Sequence, residues 1–532
     1  MIEANAQPHA DERAQAGGHD RDCDVVVIGA GLGGLLTAAQ FLRRGQRVVV
    51  VERLAHPGGR FTAKTFQGTQ VSTGAVHMLP FGTNGELAAM LRALGVPHHI
   101  HDSEVFASFH ARGRQYVCRS VLQLAGVLGV RQFAEFVRLG YAMLLRQPTP
   151  AEQTQTYREW LDSRISRAAS PELYAYFERV CHFALSVDLD DVLYPEIVET
   201  TKNMFRYGAP GIVEGGCAAL TGELERRVVA HDNGELLLQH DTLAILHTGG
   251  VATGVRVRDK RTGAVTELHA PVVISDIGPH ATQRLIAAYA REAIGAPETV
   301  AASDATYALA PSLASESGSH VGGQANFVAS ADTLSATAAP HPAGAREASG
   351  LKVHLLSDVS VIPHRGIMYC LDTERIAGIV QPSNSDPRLA PPGKHLLITH
   401  QLMRSDDVNV EREAARADLR RLFGDDFGTK IQILTMSQYR GEWPVNRLAQ
   451  GADVTPATNL TGLYLVGDAV KPSGYLMVEG VAQSVNSLLD TLDQEGAPTG
   501  RVAPRAANTP PKPSKRRAFH WLVGPPAPHA GS

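Results

Sequence analysis

Residues 25–34 read VVVIGAGLGG, a run of β-branched residues that passes directly into the glycine pattern GxGxxG. The β-branched residues predict a strand at residues 24–28, and the apolar spacing that follows predicts a helix at residues 35–44. A second strand is expected at residues 47–52. Together these elements form a βαβ unit with its glycine turn between the first strand and the helix, the arrangement typical of dinucleotide-binding proteins.

Each motif glycine has a separate predicted role. Gly29 makes the tight turn, Gly31 lets the backbone approach a pyrophosphate, and Gly34 permits close packing of helix on strand. The N-terminus of the helix then offers free N–H groups and a partial positive charge to the phosphates. Glu52 ends the second strand, where a carboxylate accepts hydrogen bonds from ribose hydroxyls and disfavours a 2′-phosphate, so FAD or NAD is predicted rather than NADP.

The residues that follow Glu52 discriminate between these two cofactors. The sequence from Gly29 to Arg60 resembles the extended fingerprint GxGxxGxxxAxxLxxxGxxVxVxExxxxxGGR of the glutathione-reductase-like FAD superfamily. The resemblance implies FAD, with the backbone at Gly58 and Gly59 passing close to the pyrophosphate. It also implies that Arg60 pairs with a phosphate or lines the flavin.

A further portion of the cofactor site is predicted near the end of the chain. Residues 463–466 predict a strand that ends in Gly467-Asp468, and the same resemblance implies that Asp468 approaches the ribityl chain and phosphates of the flavin. The next helix is expected at residues 478–492, and its N-terminus would stabilise negative charge on a reduced flavin. The predicted cofactor-binding residues are Gly29, Gly31, Gly34, Glu52, Arg53, Gly58, Gly59, Arg60, Leu243, Gly467, Asp468, Met477 and Val478.

Residues 22–492 more broadly resemble the phytoene desaturase and carotenoid isomerase group of the amine-oxidase-like flavoproteins. The shared segments include GAPG at 208–211, VVISD at 272–276 and DPRLAPPG at 386–393. The resemblance implies an FAD-dependent oxidoreductase, of the CH–CH desaturase type. Such an enzyme desaturates, saturates or isomerises a long apolar, isoprenoid or carotenoid-like substrate by hydride transfer at flavin N5. Asp276-Ile277 departs from the group's Asn-Ala, and residues 467–480 depart from its C-terminal glycine-rich segment.

Composition and charge argue against several other classes of protein. The 532 residues carry a net charge of −4, so no basic surface for nucleic acid is predicted. The five cysteines contain no CxxC pair, which argues against a disulfide framework or a metal site and fits a reducing compartment. Neither a secretory signal nor a membrane span is recognised, so a cytoplasmic protein is expected, and peripheral contact with the inner face of the membrane is left open.

The alternation of patterns predicts an α/β protein in which a Rossmann-like FAD-binding domain is interrupted by a mixed α+β substrate domain. The predicted segments are a disordered N-terminus (1–21), a first FAD-binding segment (22–84), a mainly helical substrate or lid region (85–205), a second FAD-binding segment (206–290), the substrate domain (291–445), a third FAD-binding segment (446–495) and a disordered, basic, proline-rich tail (496–532).

The catalytic residues are not identified by the sequence, which offers only His77, Trp443 and Tyr475 as candidates for the wall of the reaction site. Residues 120–145 predict an amphipathic helix, which is either a core-facing helix of the substrate domain or a lid that dips into a membrane and admits an apolar substrate.

Two alternative functions remain open on the same motifs. The first is an amine oxidase or a protoporphyrinogen-oxidase-like enzyme, which would call for an aromatic cage or a basic pocket that the sequence does not reveal. The second is a non-catalytic carrier of prenyl lipids on the same fold. The presence of Glu52, the Gly58-Gly59 pair and Asp468 argues against a carrier, which has no need of them.

Overall fold

The computed structural model describes residues 21–74, 76–293, 349–440 and 455–496. Trp443, the predicted tail beyond residue 496 and residues 1–20 of the predicted disordered N-terminus lie outside these ranges. Arg21, which the sequence analysis assigns to that N-terminal segment, belongs to the short strand Arg21–Asp22.

The described residues form these strands: β1 Arg21–Asp22, β2 Val25–Ile28, β3 Val48–Glu52, β4 Ala63–Phe66, β5 Thr69–Ser72, β6 Met78–Leu79, β7 Ile100–Asp102, β8 Ala107–Ala111, β9 Arg114–Cys118, β10 Gly211–Val213, β11 Gly234–Leu238, β12 His240–Thr248, β13 Val251–Asp259, β14 Val265–His269, β15 Val272–Ser275, β16 Ser349–Ser357, β17 Met368–Cys370, β18 Gly378–Val380, β19 His395–Leu402, β20 Ile431–Arg440 and β21 Leu463–Leu465. The α-helices are α1 Leu32–Arg43, α2 Glu86–Leu94, α3 Leu124–Leu145, α4 Tyr157–Asp162, α5 Pro171–Val180, α6 Tyr194–Tyr207, α7 Gly216–Val229, α8 Pro279–Ala293, α9 Val408–Phe423 and α10 Met477–Glu495.

The predicted βαβ unit is the centre of a five-stranded parallel sheet with the order β11-β3-β2-β15-β21. Side chains of a strand alternate between its two faces, so the valine runs of β2 and β3 supply both. Val25 and Val27 pack in one core with α1, α2, α7 and α10. Val26 and Ile28 pack in another core, against the four-stranded sheet β1-β14-β13-β12. This architecture confirms the predicted Rossmann-like α/β fold.

The sheet also explains how distant regions of the chain meet. Strand β15 pairs with β2 on one side and with β21 on the other. Beyond the strand ends, Asp276 N–H donates to the Ile28 carbonyl (2.8 Å) and Val466 N–H donates to the Ser275 carbonyl (3.0 Å). The turn after β2, the residues after β15 and the residues after β21 therefore lie side by side at the carboxyl edge of one parallel sheet, where ligands bind in such folds.

A seven-stranded sheet with the order β20-β16-β19-β18-β17-β8-β9 forms the second half of the molecule. Helices α3 to α6 pack on one of its faces, and α9 packs on the other. Residues 85–205, which the sequence predicts to be mainly helical, contain α2 to α6 and also the strands β7, β8 and β9. The hairpin β8-β9 turns at Arg112 and Gly113, both with positive φ, and β8 is buried along its whole length, so it lacks the alternating pattern that identifies a half-buried strand.

The predicted helix at residues 120–145 is interrupted. A 3₁₀ turn at Val121–Gln123 precedes α3, and the backbone of α3 leaves the helical conformation at Gly129 (φ 75°, ψ 161°). Among the residues that the structure describes, no helix combines the length and the apolar character that a membrane crossing requires.

Candidate functional site

The glycine turn between β2 and α1 has the backbone that its sequence predicts. Gly29 has a φ of 97°, a conformation that residues with a side chain rarely adopt. A Cβ atom on Gly34 would overlap the carbonyl oxygen of Gly29. The turn can therefore close against the first turn of α1 only when both positions are glycine.

Asp276 occupies the space in front of this turn. Its carboxylate accepts a hydrogen bond from Gly34 N–H (2.9 Å), and a Cβ atom on Gly31 would overlap it. Cβ atoms on Gly33 or Gly467 would approach the carboxylate to 2.5 Å. Burial is the main cause that raises the pKa of Asp276 to about 8, and the nearby carboxylates of Asp468 and Glu52 raise it further, against the opposing hydrogen bond from Gly34 and the charge of Arg60.

Glu52 stands where a ribose-binding acid is expected. Its side chain is buried and accepts hydrogen bonds from Ala30 N–H (2.9 Å) and Leu54 N–H (2.8 Å), which fix the carboxylate beside the glycine turn. Arg53 extends into solvent, and its carbonyl accepts a hydrogen bond from Lys260. Leu243 lies at the β-bulge of β12, in the neighbouring four-stranded sheet and not in the sheet that carries the turn.

The Gly58-Gly59-Arg60 segment folds back onto the glycine turn. Gly58 N–H donates to the Ala30 carbonyl (2.7 Å), and Gly58 forms an isolated parallel bridge with Gly31. A Cβ atom on Gly59 would lie 3.4 Å from the Cα of Gly31. The two loops thus pack backbone against backbone, and a Cβ atom on Gly58 would overlap the side chain of Thr62.

Asp468 connects the C-terminal portion of the site to this loop. Its carboxylate forms an ion pair with Arg60 and accepts a second hydrogen bond from the buried ammonium of Lys471 (3.1 Å). Burial lowers the pKa of Lys471, and the charge of Asp468 opposes that effect. The site thus combines a glycine turn at a helix N-terminus, an acid after the second strand and two cations beside a third loop, which together fit a dinucleotide.

Met477 and Val478 begin α10, which starts after Leu476. Met477 has a φ of 45°, an uncommon conformation for a side-chain-bearing residue and one that concentrates at functional sites. Glu479 follows in the first turn of the helix. Its buried carboxylate accepts a hydrogen bond from Leu87 N–H (2.9 Å), and burial raises its pKa to about 7.

Of the three candidate wall residues, two lie within the described ranges of the chain. His77 is fully buried, accepts a hydrogen bond from Cys217 N–H (3.0 Å) at Nδ1 and contacts the Gln70 carbonyl (3.1 Å) through Nε2. Burial lowers its pKa to about 4, so it is a neutral ring with both nitrogens engaged. Two hydrogen-bond partners therefore hold His77 in place, and its place in the wall of the reaction site stays a prediction.

Tyr475, the other described candidate, belongs to a polar chain inside the core. Its hydroxyl lies 3.2 Å from the hydroxyl of Tyr207, which in turn donates to Glu86 (2.5 Å). Phe81 stacks on Tyr207 at 4.7 Å between ring centroids. The neighbours that follow Tyr475, rather than its own side chain, line the cavity described next.

A large apolar cavity lies between the two halves of the molecule, with about 1050 Å³ of empty space including its open mouth. Its lining is dominated by apolar and aromatic side chains, among them Val76, Met78, Phe106, Tyr176, Phe183 and Leu476. Gly74 and Met477 also line it, and Gly74 packs directly against the backbone of Arg60. The cavity therefore reaches the segments that carry Arg60 and Val478.

The polar side chains in the cavity wall are few. His400 Nε2 lies 2.7 Å from the hydroxyl of Tyr439 and 3.5 Å from that of Ser186. Burial lowers the pKa of His400 to about 3, so the ring is neutral. Ser186 has a φ of 58° and follows the π-helical turn Cys181–Leu185, another local irregularity of the kind that accumulates at binding sites.

Lys352 is a further group that the sequence analysis missed. It is 1% exposed on β16, and its ammonium donates to the carbonyls of Thr73 (3.1 Å) and Gly74 (2.6 Å). Burial lowers its pKa to about 7. A lysine inside the run GLKVHLL, whose other residues are apolar except His354, is an unusual feature that could have drawn attention to it. No local sequence pattern around His400 or Tyr439 identifies either residue as part of a binding site.

Comparisons with known proteins agree with this architecture. Residues 27–94 match the family model described as an NAD(P)-binding Rossmann-like domain. The chain is 30% identical to an oxidoreductase from Methanosarcina mazei, whose crystal structure it matches with a TM-score of 0.70, covering 88% of this chain and 100% of that one. It is also 28% identical to an uncharacterised protein of Methanocaldococcus jannaschii, over 88% of this chain and 99% of that protein.

More distant similarities concern the fold or short segments. Putrescine oxidase, solved with putrescine bound, shares 13% identity and a TM-score of 0.57 over 89% of this chain and 100% of its own, a likeness of fold alone. Prolycopene isomerase of Daucus carota is 35% identical over only 77 residues, which are 14% of this chain and 12% of that protein. The resemblance to carotenoid isomerases is therefore partial and distant.

Proposed function

Because this chain belongs to the family of the Methanosarcina mazei oxidoreductase, we propose that it is an FAD-dependent enzyme of the amine-oxidase-like superfamily that oxidises, reduces or isomerises a long apolar substrate. We propose FAD as its cofactor, as the fingerprint from Gly29 to Arg60 implies. The observation that carries the substrate proposal is the cavity, whose lining is overwhelmingly apolar and extends to Gly74 and Met477 beside the cofactor-binding segments.

The residues that hold FAD in this proposal come from three regions of the chain. Glu52 binds a ribose, the N-terminus of α1 and the Gly58-Gly59 backbone take the pyrophosphate, and Arg60 and Asp468 fix the region between the phosphates and the ring. The N-terminus of α10 supplies backbone N–H groups and a favourable dipole for negative charge. Bound FAD supplies the two-electron chemistry.

The residues that line the cavity, and the buried Lys352 that contacts Gly74 of its wall, have separate proposed roles. The apolar wall holds the substrate chain and excludes water. The neutral ring of His400 and the hydroxyl of Tyr439 contact a polar group of the substrate where it carries one. Lys352, whose pKa is about 7, holds or releases a proton at Nζ beside the Gly74 carbonyl. No carboxylate lines the described cavity, so an ammonium group has no counter-ion there.

We propose an isoprenoid or carotenoid-like molecule as the substrate, with a CH–CH bond as the reacting group. Support comes from the resemblance of the segments around residues 208–216, 272–282 and 385–393 to the phytoene desaturase group, and from the apolar character of the cavity. The partial match to a prolycopene isomerase is in agreement with this class.

The test is anaerobic reduction of the purified, FAD-loaded protein by a panel of candidate substrates, followed by product identification. We expect isoprenoid hydrocarbons to bleach the flavin absorbance, or to be isomerised by the photoreduced enzyme, while primary amines leave it unchanged. Bleaching by amines alone would replace the substrate proposal with that of an amine oxidase. A protein that takes up no FAD would contradict the whole proposal and favour the lipid carrier.

We also propose that α3 contacts a membrane surface peripherally. The helix exposes a row of apolar side chains, with Val130 at 84%, Val137 at 52%, Tyr141 at 64% and Leu145 at 73% exposure. Spacings of seven, four and four residues place them on one face of the helix. The flanking Arg131 and Arg138 suit an anionic lipid surface, whereas Arg146 forms an ion pair with the buried Glu152.

Sedimentation with vesicles tests this contact. We expect the protein to bind vesicles that contain phosphatidylglycerol and to lose most of that binding in the double variant Val137→Ser, Tyr141→Ser. Val251→Ser, which changes an exposed valine (43%) on the distant strand β13, is the matched control. Equal binding by all three proteins would rule out α3 as the contact.

A further inference from the structure

Asp276 stands in the position that an incoming phosphate needs. Its carboxylate accepts the Gly34 N–H in the first turn of α1, and backbone N–H groups of that turn are the donors that a helix N-terminus offers to a pyrophosphate. The carboxylate also lies against Gly31, Gly33 and Gly467. A charged Asp276 would therefore place a negative group directly beside the pyrophosphate of FAD.

The charged groups that face Asp276 make this position unfavourable for an anion. Glu52 lies at the end of β3, and Asp468 follows β21, so two carboxylates approach from the flanking elements. Arg60 is the cation that lowers the pKa of Asp276, and both Arg60 and the other nearby cation, Lys471, are already paired with Asp468. A bound pyrophosphate would add two further negative charges to a pocket that holds three carboxyl groups.

We propose that Asp276 must be neutral for FAD to bind, so that cofactor binding is coupled to the uptake of a proton by this side chain. The inference rests on the proposed function, since it concerns the FAD site. A neutral carboxyl group keeps the hydrogen bond from Gly34 N–H as an acceptor and can donate its own proton to a phosphate oxygen. An ionised carboxylate has no proton to donate and repels the phosphates by its like charge.

The direction of the pH dependence follows from the pKa of Asp276, which is about 8. Below pH 8 the side chain is mostly neutral and FAD affinity is independent of this group. Above pH 8 each unit of pH lowers the neutral fraction roughly tenfold, and the dissociation constant for FAD rises by the same factor. The pyrophosphate itself stays fully ionised over this range, so it contributes no such slope.

The experiment is a fluorescence titration of the apoprotein with FAD between pH 6 and pH 9.5. For the wild type we expect a constant Kd up to about pH 8 and a rise of roughly tenfold per unit above it. Asp276→Asn, which keeps the shape and removes the charge, should give a nearly flat profile and bind at least tenfold more tightly than the wild type at pH 9.5. Asp232→Asn, at an exposed turn residue, should follow the wild type.

A second measurement needs no variant. Calorimetric titration of the wild type at pH 8.5 in two buffers of different ionisation enthalpy should report uptake of a proton on FAD binding. A pH-independent Kd with no proton uptake, in a wild-type protein that does bind FAD, would overturn the role of Asp276 and leave the proposed function intact. Absence of FAD binding by wild type and Asp276→Asn at every pH would instead overturn the proposed function, and this inference with it.

Discussion

Arg60 and Asp468 form an ion pair although 408 residues separate them in the chain. Arg60 follows the Gly58-Gly59 loop, and Asp468 follows β21, the edge strand of the parallel sheet. The pair therefore joins the first and last segments of the cofactor-binding region across the mouth of the glycine turn. The second partner of Asp468 is the buried Lys471, so two cations fix the position of the Asp468 carboxylate.

Asp468→Asn should weaken FAD binding by tenfold or more, because the site loses the acid that orients Arg60 and Lys471. It should also lower the free energy of unfolding by about 2–3 kcal/mol, since a buried ammonium loses its carboxylate. The flavin-to-protein ratio after purification and a urea titration of the apoprotein measure the two effects. Asp493→Asn, which removes the 56% exposed partner of Arg44 at 3.3 Å, should leave the flavin-to-protein ratio unchanged and lower the free energy of unfolding by at most about 1 kcal/mol. Equal behaviour of the two variants would contradict a binding role for Asp468.

Gly34→Ala should abolish FAD binding and destabilise the protein by about 2–3 kcal/mol, because the new Cβ overlaps the Gly29 carbonyl and forces the turn open. Gly222→Ala is the matched control, since it also lies within a helix (α7) and its Cβ meets no atom within 4 Å. That control should gain about 0.5–1 kcal/mol from helix propensity alone. The melting temperature and the flavin content after purification distinguish the two variants. Retention of FAD by Gly34→Ala would show that the turn is not the pyrophosphate site.

Met204→Trp should block the substrate cavity while leaving the cofactor in place. Met204 lines the cavity from α6, and the larger indole would fill space that a long apolar substrate needs. We expect normal FAD content and at least a tenfold loss of substrate-dependent flavin bleaching. Val229→Trp, at an exposed position (57%) at the end of α7, should retain both properties. If Met204→Trp bleaches as the wild type does, the substrate must bind elsewhere.

Lys352→Met should change the pH dependence of stability. Burial lowers the pKa of Lys352 from 10.5 to about 7, so between these two values the unfolded chain holds a proton that the folded chain lacks. The free energy of unfolding of the wild type therefore rises with pH above 7, by up to about 1.4 kcal/mol per unit, and Lys352→Met lacks this contribution. Below pH 7 the folded wild type carries a buried positive charge. The free energy of unfolding of Lys352→Met, relative to that of the wild type, should therefore be highest there.

Urea titrations of both proteins at pH 6.5, 7.5 and 8.5 measure this difference. Other titrating groups cancel in the comparison, and the lost hydrogen bonds to Thr73 and Gly74 subtract a constant amount. A stability difference that does not change with pH would show that Lys352 keeps an ordinary pKa.

Much of the fold could be predicted because its signals are local. The valine runs, the GxGxxG spacing and Glu52 occur within residues 25–52, and a βαβ unit requires them in that order. Gly467-Asp468 was recognisable for the same reason, as a short strand that ends in a glycine and an acid. The assignment of roles to the whole predicted cofactor-binding set, and the domain boundaries, remain predictions.

The sequence by itself therefore determined the βαβ unit with its glycine turn and the Gly467-Asp468 segment, because turn geometry and strand alternation are properties of neighbouring residues. The tertiary structure alone decided which other side chains contact these cofactor-binding segments. Asp276 faces the glycine turn because β15 pairs with β2, and Lys352 reaches Gly74 from a different sheet. Their burial, and with it their altered pKa values, arises from packing between segments more than 200 positions apart in the chain, as with Gly34 and Asp276, whose residue numbers differ by 242.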